Sequence, residues 1–365
     1  MPPVASFFSD SYAEAREKFL KATESAGGQI VDSYKNPLKG PDGGELATDV
    51  AWIGPRSAKK LLVLVSSTHG IEGYCGSGCQ VSWLENRHYY RDARPDTAVL
   101  LIHAINPHGF AYGRRVTEDN VDLNRNFLDF SKPLPENVDY AALQDHVNPK
   151  EWSAESLAKA DQAIAAYYKM PNSDFLPRAI HGGQYVNPKG TYFGGHKATW
   201  SNDTFRSIVK KWMTGRDHVG LIDYHTGLGP LGHGDMIYGG QPQEGDARKW
   251  WDHVTPTEED LKQAGHLTNR LPGMLSQVVL DSLPKSTRVT AGAIEYGTHD
   301  TKSVLKALRA DNWVHTYGDP KSAFCKETTA QVREMFYPAV FEWKIMVASR
   351  SNDVIRQALV GLGRS

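Results

Sequence analysis

Apolar residues come in two textures along this chain. Leu61-Leu-Val-Leu-Val65 and Thr97-Ala-Val-Leu-Leu-Ile-His-Ala-Ile105 are short, nearly unbroken runs, the pattern of strands buried on both faces of a sheet. Val219-Gly-Leu-Ile-Asp-Tyr-His225 reads as another central strand, and Thr290-Ala-Gly-Ala-Ile-Glu-Tyr296 repeats the device. Gln29-Ile-Val-Asp-Ser-Tyr34 and Leu46-Ala-Thr-Asp-Val-Ala-Trp-Ile53 also read as strands. The turn-rich stretch 36–44 separates them, which predicts an antiparallel pair at the sheet edge. The second texture is helical. Tyr12, Ala15, Phe19 and Leu20 share one side of a helix over 11–25 that ends at Gly27-Gly28. Further helical stretches fall near 76–90, 153–170, 201–214, 257–280, 301–315 and 325–350.

Strand, helix, strand between residues 61 and 105 predicts a right-handed parallel crossover. With helices left to cover both sheet faces, the expected fold class is α/β: three α/β/α layers around a mixed, mostly parallel central sheet. No linker of Ser, Pro or charge runs divides the 365 residues, so one domain spanning 1–365 is expected. Beyond Phe130 the pattern changes to prolines, a helix and the Gly/His-rich segment 180–195. We read an insertion at about 130–200, for which a turn-rich loop is the plainer account and a role in substrate choice or an oligomer contact the alternative.

Composition narrows the partners. A net charge of -1 with 23% charged residues gives no global electrostatic reason to bind nucleic acid or an anionic membrane. Trp250 and Trp251, a lone aromatic pair among charges, do not make a nucleic-acid platform. No window reaches the 18 consecutive apolar residues of a membrane span, and the first ten residues lack a basic and an apolar signal region; a soluble cytoplasmic protein is expected. Three cysteines are too few for a disulfide framework. Cys75 and Cys79, four apart on a helix, are expected to pack rather than bind metal.

The chemistry gathers at strand ends. His69 and Glu72 follow the Leu61 strand on one tight turn, where an imidazole and a carboxylate can converge on a cation. In a chain with 14 histidines that pair alone reads more simply as a polar loop after a core strand. Two other strands, however, end in His225 and Glu295. Ligands of open α/β sheets bind beyond the carboxyl ends of strands, so three such groups delivered to one edge form a candidate site. His103, inside an apolar strand, is expected to be a core residue; His233 and His299 are candidates only for a supporting shell.

His69-x-x-Glu72, the Asn106-Pro-His-Gly-Phe110 segment, Asp122-Leu-Asn-Arg-Asn126, a distant His225 and Glu295 together resemble the zinc carboxypeptidase family. The Arg-Arg-x-Thr-Glu-Asp-Asn and Glu-Tyr-Gly-Thr versions are most similar to a bacterial branch near succinylglutamate desuccinylase and aspartoacylase. The motifs keep the family's order from residue 69 to 298. The resemblance implies one Zn2+ held by His69, Glu72 and His225, with a fourth position for water. Glu295 would be the general base, and Arg115, nine positions before Asn124, would polarise the scissile carbonyl, with Arg114 as its immediate competitor. Asn124 and Arg125 would hold the substrate carboxylate, and Asp122 would accept the free ring N–H of His69.

What this implies is a zinc hydrolase that cleaves an amide bond next to a free carboxylate by attack of metal-bound water. The substrate would be a small peptide, or alternatively an N-acyl amino acid, and a homo-oligomer is compatible with the reading. One departure stands out: the tyrosine that closes over substrate in carboxypeptidases has no clear counterpart, because Gly273 occupies its usual distance before the base. Tyr185, Tyr238 and Tyr296 are the replacements to weigh.

Overall fold

The computed structural model describes residues 3–168, 180–237, 244–252, 254–255 and 271–364. Its frame is an eight-stranded sheet: β1 (Gln29–Lys39), β2 (Glu45–Ile53), β3 (Lys60–Val65), β4 (Thr97–His103), β5 (His218–Thr226), β6 (Gly234–Ile237), β7 (Val254–Thr255) and β8 (Arg288–Tyr296). They lie in the order β1-β2-β4-β3-β5-β8-β6-β7. The four central strands β4, β3, β5 and β8 run parallel, and the antiparallel pairings are β1 with β2, β2 with β4 and β6 with β8. The fold is α/β with a mixed, mostly parallel sheet, as the apolar runs predict. Of its strands β6 and β7 carry no such run, and the pattern missed them.

Strand periodicity explains the layers. Leu62 and Leu64 of β3 face one apolar cluster with Ile222, Tyr224, Ile294 and Tyr296, while Leu61, Val63 and Val65 face another with Val219, Leu221, Val289 and Ala291. The first cluster is covered by helices Tyr12–Ser25, Gly73–Glu85 and Phe341–Arg364, through Phe19, Trp83 and Trp343 among others. Helices Trp200–Ile208 and Leu275–Ser282 cover the second, through Phe205, Ile208, Leu275 and Val278.

Several boundaries differ from the expectation for local reasons. The stretch expected to be helical over 325–350 is two helices, Ala323–Phe336 and Phe341–Arg364, broken around Pro338, which has no N–H to give and disfavours helix in the residue before it. The helix expected near 257–280 is described as Leu275–Ser282, and residues 257–270 lie outside the described residues. β1 continues to Lys39 past Pro37, with a register irregularity between Lys35 and Lys39. Among the described residues no helix is long and apolar enough to cross a membrane. Cys75, Cys79 and Cys325 are buried free thiols, the first two packed in the apolar cluster as their spacing predicts.

Candidate metal centre

From β3 the chain passes to β4 on one side, and later to β5 on the other. The strand order therefore switches between β3 and β5, the place where open α/β sheets bind ligands. His69 leaves β3 there. A short turn, Gly70–Glu72, brings Glu72 back beside it, and helix Gly73–Glu85 follows. Gly70 is needed for this turn: a Cβ on it would lie 2.1 Å from the backbone of Gly109. Gly70 N and Ile71 N donate to the carbonyls of Arg115 and Arg114 at 2.9 and 2.8 Å, which pins the arginine loop against the turn.

His69, Glu72 and His225 are all buried, and their donor atoms lie within 4.8 Å of one another. His69 Nδ1 is 2.9 Å from Glu72 Oε1, His225 Nδ1 is 2.9 Å from Glu72 Oε2, and the two Nδ1 atoms are 3.2 Å apart. Donors 2.0–2.2 Å from a tetrahedral ion stand about 3.3–3.6 Å apart, so the observed cluster needs only slight expansion to hold one. The outer nitrogens are also provided for. His225 Nε2 meets Asp223 Oδ2 at 2.8 Å, and His69 Nε2 meets Asp122 Oδ1 at 3.3 Å. Carboxylates there favour the tautomers that turn both Nδ1 lone pairs inward.

Charge points the same way. Burial works against ionisation of Glu72 and Asp122. It is outweighed at Glu72 by His69 and His225 and at Asp122 by Arg115 and His69, so both carboxyls fall well below the usual range. Burial would likewise discharge His225, yet Asp223 and Glu72 hold its pKa well above the ordinary value. The pocket thus favours positive charge at its centre, and a divalent ion satisfies that demand better than an imidazolium. The residues present fit a divalent metal.

Glu295 sits beside this triad as the register partner of His225. Burial first, then the nearby Glu72 charge, push its carboxyl up to about 8, and Leu228 N donates to its Oε1 at 3.1 Å. Of the two adjacent arginines, Arg115 reaches the triad. Its Nη1 donates to Glu72 Oε1 (3.2 Å) and its Nε to Asp122 Oδ2 (3.1 Å), while Nη2 approaches His69 Nε2 (2.8 Å). A guanidinium only donates, so this last contact and the Asp122 contact call for opposite His69 tautomers; Nδ1 on a metal selects Asp122. Arg114 turns away to Asp311 Oδ2 at 3.1 Å and Asn120 Oδ1 at 3.2 Å.

A family model described as "Protein of unknown function (DUF2817)" matches residues 8–350. The chain belongs to that family. Its fold is similar to that of bovine thrombin-activatable fibrinolysis inhibitor, solved with a tick carboxypeptidase inhibitor, at 10% identity over 99% of both chains and a TM-score of 0.51. Carboxypeptidase A from Helicoverpa armigera aligns with 94% of this chain and 73% of its own at 13% identity and a TM-score of 0.46. A succinylglutamate desuccinylase from Silicibacter sp. TM1040 aligns with 79% and 66%, at 13% identity and a TM-score of 0.35. These are likenesses of fold. No curated protein matches in sequence.

In this DUF2817 chain Asn124 and Arg125 are buried on the turn after Asp122. Asn124 Oδ1 accepts from Leu275 N at 2.8 Å. Arg125 Nε and Nη2 both donate to the carbonyl of His181, at 3.2 and 2.6 Å, and Nη1 donates to Asn124 O at 2.7 Å. Gly273, at φ +73°, lies against Arg125, where a Cβ would come within 2.2 Å of the Arg125 carbonyl. That position has no room for a tyrosine or any other side chain. Tyr185 donates to the same carbonyl at 2.7 Å, Tyr296 is sealed in the core, and Tyr238 lies outside the described residues. His103 is a core residue stacked on Phe19, as expected. His233 pairs with Asp235 and His299 with Glu334.

Two features of the DUF2817 site escaped the sequence reading. Asp223 is one: it precedes His225 by two positions on the same strand face, a spacing that could have disclosed it, and it also accepts from Thr68 Oγ1 at 2.7 Å. The partners chosen by residues 180–195, a stretch already expected to be able to shape substrate choice, are the other: the carbonyl of His181 accepts from the guanidinium of Arg125, and the ring centre of Tyr192 lies 5.4 Å from the guanidinium carbon of Arg115. Nothing local in the sequence announces those contacts.

Proposed function

We propose that this chain is a zinc-dependent hydrolase that cleaves an amide bond next to a free carboxylate, carboxypeptidase-like on small peptides and acting in the cytoplasm. The observation that carries the reading is the buried His69, Glu72 and His225 cluster with Glu295 on the adjacent strand. A bound divalent ion supplies Lewis acidity toward water and the scissile carbonyl. With a cation offsetting the Glu72 charge that helps to keep it protonated, Glu295 would ionise, take the proton of the attacking water and return it to the leaving nitrogen. Arg115, already against the triad, offsets negative charge developing on the carbonyl oxygen. Asn124 and Arg125 hold the substrate carboxylate, for which Arg125 must exchange at least one of its bonds to the His181 carbonyl.

A second reading, a deacylase of N-acyl amino acids, draws support from position 273. With glycine packed on the Arg125 backbone there, the peptide-closing tyrosine has no seat at that point of the chain. Paired assays separate the two. Purified protein is analysed for bound metal, then offered dipeptides and N-acyl amino acids in parallel; turnover of N-acyl amino acids alone removes the peptidase reading. A protein that binds no divalent metal and cleaves neither set refutes both.

A further inference from the structure

Tyr192 belongs to the insertion, yet it is built into the metal centre. Its backbone is fixed from both sides: its carbonyl accepts from Gln184 N at 3.0 Å, and the carbonyl of the next residue, Phe193, accepts from Asp122 N at 2.7 Å. Asn126 Nδ2 then donates to Gly194 O at 2.8 Å. Within this frame Tyr192 adopts φ +56°, a left-handed backbone that a bulky side chain rarely takes. Such strain persists where surrounding contacts impose it, and it concentrates at functional sites.

What the strain delivers is a ring face under Arg115. The guanidinium carbon lies 5.4 Å from the Tyr192 centroid, within cation–π range, while the guanidinium nitrogens engage Glu72 and Asp122. His181 meets the ring edge-on at 5.1 Å. Tyr192 is only 4% exposed, and its hydroxyl has no hydrogen-bond partner among the described residues. A tyrosine this buried normally bonds its hydroxyl to protein. Tyr185 and Tyr140 in the same region do so, through Arg125 O and Thr191 O.

We propose that Tyr192 is a positioning residue for Arg115, holding its guanidinium beside the metal triad through the ring face, and that its free hydroxyl donates a hydrogen bond to the bound substrate. The hydroxyl half rests on the hydrolase reading; the ring half does not. Ordinary packing would not need the left-handed backbone that turns the ring face to Arg115.

The test uses the zinc-loaded full chain, with Tyr192→Phe and Tyr192→Leu compared by Arg115 modification with phenylglyoxal and by kinetics on dipeptides and N-acyl amino acids. Tyr192→Phe keeps the ring: Arg115 labels at the parental rate, kcat stays within about twofold, and KM rises about fivefold for the lost hydroxyl bond. Tyr192→Leu labels about fivefold faster or more and loses about tenfold in kcat, with metal content and melting temperature retained. Parental labelling in Tyr192→Leu overturns the positioning claim, and an unchanged KM in Tyr192→Phe overturns the hydroxyl claim. If the parent cleaves nothing but Tyr192→Leu still accelerates labelling, positioning stands and the hydrolase reading falls with the hydroxyl claim.

Discussion

His225 and Glu295 are direct register partners on the adjacent parallel strands β5 and β8. Backbone hydrogen bonding therefore fixes the separation of a metal-ligand candidate and a carboxyl that burial lifts to about 8. Roles divide along that pair. Glu295→Gln should keep bound metal and lose about 100-fold or more in kcat. Glu72→Ala should lose tight metal binding outright. Metal analysis of the two proteins beside their kinetics checks the division, and full activity in Glu295→Gln would eliminate the base.

Asp223 should tune the metal through His225, whose Nε2 it meets at 2.8 Å. Asp223→Asn is expected to weaken metal affinity about 10- to 100-fold without abolishing it. Because Asp223 and Glu72 overcome burial and raise the pKa of His225, binding must displace its proton, and affinity falls as pH falls. Calorimetry in buffers of different ionisation enthalpy measures that release; no buffer dependence would contradict it.

The adjacent arginines should differ in their effect on turnover. Arg114 is buried against Asp311, and Arg114→Met leaves that carboxylate only His315, 3.5 Å away, at a cost of about 3 kcal/mol of stability with little change in kcat/KM of the folded protein. Arg115→Met should lower kcat/KM by about 100-fold and, because buried Asp122 also loses its arginine, should destabilise the protein as well. Equal losses of kcat/KM in the two variants would place both arginines at the reacting carbonyl and refute this division.

His103 should contribute to the acid limit of stability, beside His108 and His181, which burial also lowers to about 4. Burial drives its pKa down to about 4 from the ordinary 6.5, and it stacks on Phe19 with Ser77 Oγ 2.9 Å from Nε2. Between those values the unfolded chain holds the extra proton. Stability from this group is therefore present above pH ~6.5 and lost as pH falls toward ~4, a difference of about 3 kcal/mol. His103→Leu should flatten the acid limb of a denaturation series, and an unchanged limb would show the group titrates normally.

Much of this architecture was legible in the residues themselves. The apolar runs at 61–65, 97–105, 219–225 and 290–296 became the four parallel central strands, because burial on both faces leaves an unbroken apolar signature. Their carboxyl ends then named His69, His225 and Glu295, since a strand end is a fixed address in a sheet. β6 and β7 left no such trace: they are short, and their pairing with β8 and with each other is decided by neighbours.

The sequence by itself thus determined which side chains reach the sheet edge, because strand periodicity and turn chemistry are local. Only tertiary structure decided which of them meet. It turned Arg115 rather than Arg114 toward Glu72, closed position 273 against the Arg125 backbone, and carried Tyr192 from 77 positions beyond Arg115 to lie under its guanidinium. Contacts of that range depend on loop closure and packing between distant segments, and residue order does not encode them in any local pattern.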